Sequence, residues 1–328
     1  MQLEIKRLAL VLGGIALSLV FLLISLRQVD VASIKMAFFS LQYFPLIGCA
    51  AFLAAGVLIR SVRWRMLAGQ SRQNQLHFYR ATTLGVFANL IFPIRAGEIV
   101  RVYTLAKLTG SSYTVPLASA LLDRLTDLFV LLLSAVIVYW FSPMTELLGS
   151  WMSFLFIGTS ATLLIVIVYV KSAGFGESLL TTLFNRLLRS WPVSPNLFIT
   201  EFREELHHLV NSWLSVRFLL IVLLIMTLDY AAFTLLLYAF QLHISPEAPL
   251  FLWVFLAAGS ALPSAPGYLG VYQVAAVWAL SLFAVPAPTA VAIATTLQLI
   301  MLVVSLLMTG TGAWNMCRRA VNSSILIN

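Results

Sequence analysis

Arg95, Glu98 and Arg101 crowd together beside Pro93 and Gly97 in the stretch NLIFPIRAGEIVR, residues 89–101. A second charged set follows in LLDRLTDLF, where Asp123 and Asp127 stand at i and i+4, and Arg124 lies three residues before Asp127. On a helix these spacings place Glu98 beside Arg101, Asp123 and Asp127 on one face, and Arg124 within reach of Asp127. Two chemistries fit. A guanidinium fork matches phosphate oxygens bidentately, and nearby carboxylates would orient the arginines and exchange with such a ligand. Alternatively, Arg95, Arg101 and Arg124 cancel Glu98, Asp123 and Asp127 in a closed ion-pair network that only braces helices. The paired carboxylates could also do acid–base work, but Arg124 between them would keep both ionised.

The residues around these groups are strongly apolar. Of 328 residues, 61% are hydrophobic and 10% charged, too little polar sequence to cover a soluble domain of this length. The apolar runs have the length of bilayer-crossing helices, so the chain reads as an all-α polytopic membrane protein. Six full spans are expected at 8–26, 43–59, 114–141, 151–170, 217–240 and 288–314, the first retained rather than cleaved as a signal peptide. Asp229 falls near the middle of one span and Gln298 at comparable depth in another. Ionisable residues at such depth face the bundle interior and mark pathways.

Two further apolar segments, 81–108 and 251–284, are interrupted by Pro and Gly, and neither half of either is long enough to cross alone. Charge orders the topology. Lys6 and Arg7, the run Arg60, Arg63, Arg65, Arg72 and Arg80, the set Lys171, Arg186, Arg189, Arg203 and Arg217, and Arg318 with Arg319 all fall between or beyond spans. They share one side if each broken segment enters and leaves by the same face, which puts both termini in the cytoplasm. The expectation is therefore a single domain, 1–328, of six helices plus two re-entrant hairpins of opposite entry side. That pairing of interrupted segments points to a transporter-like site near the midplane.

In the first hairpin, Pro93 and Gly97 break the helix near Asn89, and a new helix from about Gly97 would aim its amides at an anion. In the second, AGSALPSAPGYLGVYQ, the residues Pro263, Pro266, Gly267 and Gly270 preclude a continuous helix. Tyr268 and Gln273, with Ser260, Ser264 and Tyr272, would line a polar path, or the stretch is a tight loop that lets helices pack closely. Residues 171–216 read as a cytoplasmic amphipathic arm, with Phe198, Phe202, Leu206, Leu209 and Trp213 on one stripe. It would lie on the membrane surface or dock a partner.

Other classes find little here. The net charge of +8 is distributed as orientation signals rather than as a nucleic-acid patch, and Cys49 and Cys317 offer no disulfide framework. No hydrolase, zinc-protease, nucleotide or dinucleotide motif occurs, so neither enzyme activity nor cofactor is expected. Glu204 and His208 have metal-ligand spacing but belong to the polar face of the arm, and no metal site is expected.

The ordered triplet NLIFPIRAGEIVR, LLDRLTD and LPSAPGYLGVYQ resembles the lysylphosphatidylglycerol synthase transmembrane-region family, also described as flippase-like domain proteins, over essentially the whole chain. The family's first element corresponds to Asn89, Pro93, Arg95, Gly97, Glu98 and Arg101. Its acidic-Arg-x-x-Asp element falls on Asp123, Arg124 and Asp127, with aspartate where glutamate is commoner, and its last element on Pro263, Pro266, Gly267 and Gly270. The resemblance implies a protein of the bacterial cytoplasmic membrane that moves a lipid across the bilayer. Ending at Asn328, the chain is not expected to carry the aminoacyl-transferase domain of the bifunctional members. The expected function is translocation of a phosphate-bearing lipid, its headgroup held by Arg95, Arg101 or Arg124, with Glu98, Asp123, Asp127 and Asp229 as charge partners. The alternative is a membrane scaffold assisting a separate lipid-modifying or glycosyl-transferring enzyme.

Overall fold

The computed structural model describes residues 20–21, 31–39, 41–68, 74–92, 96–141, 198–204, 216–260 and 265–325. Every regular element among them is helical: α1 (Val31–Phe39), α2 (Tyr43–Leu67), α3 (Gln75–Ile91), α4 (Gly97–Thr109), α5 (Thr114–Phe141), α6 (Val216–Ala239), α7 (Ala248–Ser260), α8 (Val271–Ser281) and α9 (Ala287–Ile325). A 3-10 turn, Pro266–Tyr268, precedes α8. Among the described residues, three helices are long and apolar enough to cross a membrane: Tyr43–Leu67, Val216–Ala239 and the Ala287–Thr311 part of α9. At 25 residues, α2 extends about 37 Å, more than a hydrocarbon core requires. The expected span at 151–170, and all of that at 8–26 except residues 20–21, lie outside the described residues.

The span placed at 43–59 runs on to Leu67, so Arg63 is a helical residue rather than a loop charge, and it is 1% exposed. Arg80 likewise lies within α3 and is 4% exposed. Both were counted above with the basic loop following the second span; burial removes them from that count.

The chain separates into two compact units. One comprises Met1–Leu58, Tyr79–Arg101 and Ile225–Asn328; the other comprises Ile59–Phe78 and Val102–Leu224. The first unit has a core of Leu90 with residues from α6, α7, α8 and α9. Alanines make the close contacts there: Ala275, Ala276 and Ala279 of α8, and Ala290, Ala292 and Ala294 of α9, are all buried. Without a hydrophobic drive between helices in lipid, small residues let backbones approach and van der Waals packing associate them.

The second interrupted segment and residues 81–101 of the first lie in this first unit, and within each segment the arms run side by side. A Cβ built on Gly85 of α3 would lie 2.8 Å from the Arg101 Cβ and 2.9 Å from the Gly97 carbonyl oxygen. One built on Gly97 would collide with the Gly85 carbonyl oxygen and come within 2.5 Å of Asn89 Cγ. Pairing of 85 with 101 and of 89 with 97 means that α4 returns antiparallel along α3, and glycine is required at both crossings. In the other segment Gly259 of α7 faces Val271 and Ala275 of α8.

In the second unit, Trp64 is fully buried, its ring edge-on to Phe78 at 5.3 Å and its indole N–H donating to Ser119 Oγ at 3.1 Å. The described part of the arm packs here. Phe198 and Ile199 are buried with Ala118, and Phe202 packs against Leu67, Leu122 and Phe218. Their apolar stripe thus meets the chain's own α2, α5 and α6 residues. Glu201, close to Glu204 on this segment, has its carboxyl pushed up by desolvation and then by the Glu204 charge. A raised carboxyl pKa favours the packed state below the usual glutamate range, an advantage lost as pH rises. Glu201→Gln is therefore expected to slow amide exchange in 198–204 at about pH 7 and to change little at about pH 4.

Candidate functional site

The charged residues of α5 find their main partner on α2. Arg63 donates from Nε to Asp123 Oδ1 at 2.9 Å, and its Nη2 lies 2.8 Å from the same oxygen. The same Nη2 also donates to Asp127 Oδ1. Arg124 Nη1 donates to Asp127 Oδ2 at 2.8 Å. The i,i+4 pair and the Arg124–Asp127 contact therefore stand as their spacing requires, whereas Arg63 was not anticipated at the site. Its signal was the run RSVRWRML, which continues the helical pattern of the preceding apolar stretch without a turn residue. Arg63 and Asp123 are deeply buried, while the side chains of Asp127 and Arg124 are 33% and 44% exposed. The network is closed at one end and open at the other.

Arg101 and Glu98 belong to the first unit. Arg101 is 4% exposed, and its Nη1 lies 3.5 Å from Glu98 Oε2, a long contact at the edge of hydrogen bonding. Asn89 Oδ1 accepts the Gly97 N–H at 2.8 Å, which caps α4 from the end of α3. With that amide engaged and Glu98 in the first turn, the start of α4 already carries its own negative charge. Asp229 is buried in α6, also in the first unit. Pro93, Arg95 and Pro263 lie outside the described residues.

The second break meets the end of α3 within the first unit. Gly267 of the second break has φ +66, and a Cβ there would meet the Leu90 carbonyl oxygen, at the end of α3, at 3.3 Å. Leu90, Tyr268 and Tyr272 share one buried cluster. The rings of Tyr268 and Tyr272 stack with centroids 4.9 Å apart. Gly270 precedes α8, and its N–H donates to Gln273 Oε1. Thus Asn89 and Gly97 come together in the first segment, Pro266, Gly267, Tyr268, Gly270 and Gln273 form one turn in the second, and Leu90 joins the two.

The family model described as lysylphosphatidylglycerol synthase TM region matches residues 11–308. A UPF0104 membrane protein of Methanothermobacter thermautotrophicus is 34% identical over 99 residues, a match spanning 28% of this chain and 29% of that protein. No solved structure matches the chain.

Proposed function

Because the chain belongs to the lysylphosphatidylglycerol synthase transmembrane-region family, we propose that it is a lipid translocase, moving a phosphate-bearing lipid between bilayer leaflets. In this reading the broken segments α3–α4 and α7–α8 are re-entrant hairpins entering from opposite faces. Six spans surround them in the bacterial cytoplasmic membrane, with both termini inside. The observation that carries the reading is the meeting of the second break with the end of α3, Leu90 against Gly267, within one unit. Non-helical backbone at membrane depth is tolerated only where protein buries it or a wet cavity receives it, and paired broken helices are how transporters build a midplane site. The headgroup would pass while the acyl chains stay in lipid.

Among the described candidates for the phosphate contact, Arg124 is the accessible one, and Arg101 is nearly sealed. Arg63 fixes Asp123 and Asp127, so a phosphate arriving at Arg124 competes with a carboxylate already held in place. Glu98 and Asp229 then serve to hold charge in the first unit, and Arg95 remains a further candidate on the first hairpin. The test is a leaflet-exchange assay in proteoliposomes with a fluorescent phosphatidylglycerol and a fluorescent glycosyl diacylglycerol that lacks phosphate. Arg124→Gln is expected to slow the phosphate lipid about tenfold or more, the value of a charge-assisted hydrogen bond, and to leave the neutral lipid nearly unchanged. Equal rates for wild type and variant with the phosphate lipid would exclude Arg124 from the path.

A further inference from the structure

The turn that interrupts the second segment holds a conformation one of its residues does not favour. Gly267, Tyr268 and Gly270 have φ of 66°, 61° and 82°. Glycine adopts this region at no steric cost, but tyrosine sets its Cβ against a neighbouring carbonyl, and such a residue persists only where its surroundings over-determine it. Two buried glutamines do so here. Gln298 of α9 donates from Nε2 to the Gly267 carbonyl at 2.7 Å. Gln273 of α8 accepts the Gly270 N–H at 2.8 Å and donates to Gln298 Oε1 at 2.8 Å. The amides therefore grip both ends of the turn and each other.

The same helix that carries Gln298 also holds the other broken segment. Tyr79 Oη of α3 donates to the Met308 carbonyl at 3.1 Å, and Thr309 Oγ1 donates to the Thr83 carbonyl at 3.2 Å. Along α9, Gln298 and Thr309 are about 16 Å apart. With Leu90 against Gly267, these contacts close a loop: α9 to the second break, the second break to the end of α3, and α3 back to α9.

We propose that Gln298 is a positioning residue: by tying the 267–270 turn to α9 it sets the contact between the second break and the end of α3. The transport role of that contact rests on the reading of the chain as a translocase. Loosening the tie leaves α3 fixed to α9 while the second break drifts from it, so turnover suffers and headgroup recognition does not.

Two variants probe the bond. Gln298→Leu removes it. Gln298→Met keeps the length of the side chain but cannot donate to the Gly267 carbonyl, and it serves should the leucine variant not fold. Amide exchange of 266–270, followed by mass spectrometry of the full chain in nanodiscs, is expected to quicken about tenfold or more, with 79–83 unchanged. In proteoliposomes the maximal exchange rate of fluorescent phosphatidylglycerol is expected to fall about tenfold at an unchanged half-saturating lipid fraction. Unchanged amide exchange in both variants overturns the proposal. A loosened turn with wild-type lipid exchange overturns the positioning role and leaves a structural one. If the wild type itself moves no lipid, the translocase reading and the transport role fail together, and the amide data still decide whether Gln298 sets the turn.

Discussion

Replacing Arg63 by alanine is expected to cost about 3–5 kcal/mol of stability, the range for removing one partner of a buried ion pair. The cost comes less from lost attraction than from what is left behind. Arg63 donates to Asp123 through Nε and to Asp127 through Nη2, which also lies 2.8 Å from the same Asp123 oxygen, and Asp123 has almost no access to solvent. Without the guanidinium, Asp123 must stay charged and unbalanced in an apolar surround or take up a proton, and either is expensive. Thermal unfolding in a mild detergent measures the loss. The double variant Arg63→Met, Asp123→Asn removes both charges and is expected to recover much of it, since an apolar or neutral replacement of a whole buried pair is often tolerated. A melting point for Arg63→Ala within error of the wild type would mean that the network bears no weight.

Gly97→Ala is expected to be nearly as damaging, at about 3 kcal/mol or more, although it adds a single methyl group. The new Cβ would collide with the Gly85 carbonyl oxygen and press on Asn89, the residue that caps α4. The first obstacle is backbone and cannot rotate away, so the arms of the α3–α4 segment must part. Gly310 gives the contrast. It lies within α9 with nothing inside 4 Å of a built Cβ, so Gly310→Ala is expected to stabilise by about 0.5–1 kcal/mol through helix propensity alone. Parallel unfolding curves for the two variants decide the matter. Equal behaviour would mean that the arms do not approach as closely as their glycines imply.

Local features were legible in the sequence, and long-range ones were not. The spacing put Asp123 and Asp127 on one face and Arg124 beside Asp127, because a helix makes i, i+3 and i+4 neighbours whatever surrounds it. Pro93 and Gly97 announced a break between α3 and α4, and the Pro/Gly cluster announced another between α7 and α8. Arg63 escaped notice because a basic residue just past an apolar run is ordinarily an orientation signal in a loop, and its partners are 60 and 64 residues away. Arg80 was misplaced for the same reason. The link between Gln273 and Gln298 was likewise invisible, since only the fold brings α8 beside α9. Phe198 and Phe202 show the limit of amphipathic patterns: a stripe reports that one face is covered, but not whether lipid or protein covers it.

The central claim is that the two interrupted segments, with the second break against the end of α3, give a lipid a route across the bilayer. Its most direct test is the transbilayer exchange of fluorescent phosphatidylglycerol in vesicles with and without the wild-type protein, read by quenching from outside. The account predicts that the protein speeds exchange and that the gain scales with the number of protein molecules per vesicle. Exchange no faster than in protein-free vesicles, with the protein folded and inserted, would contradict it for that lipid. The same result across a panel of phosphate-bearing lipids would contradict it altogether.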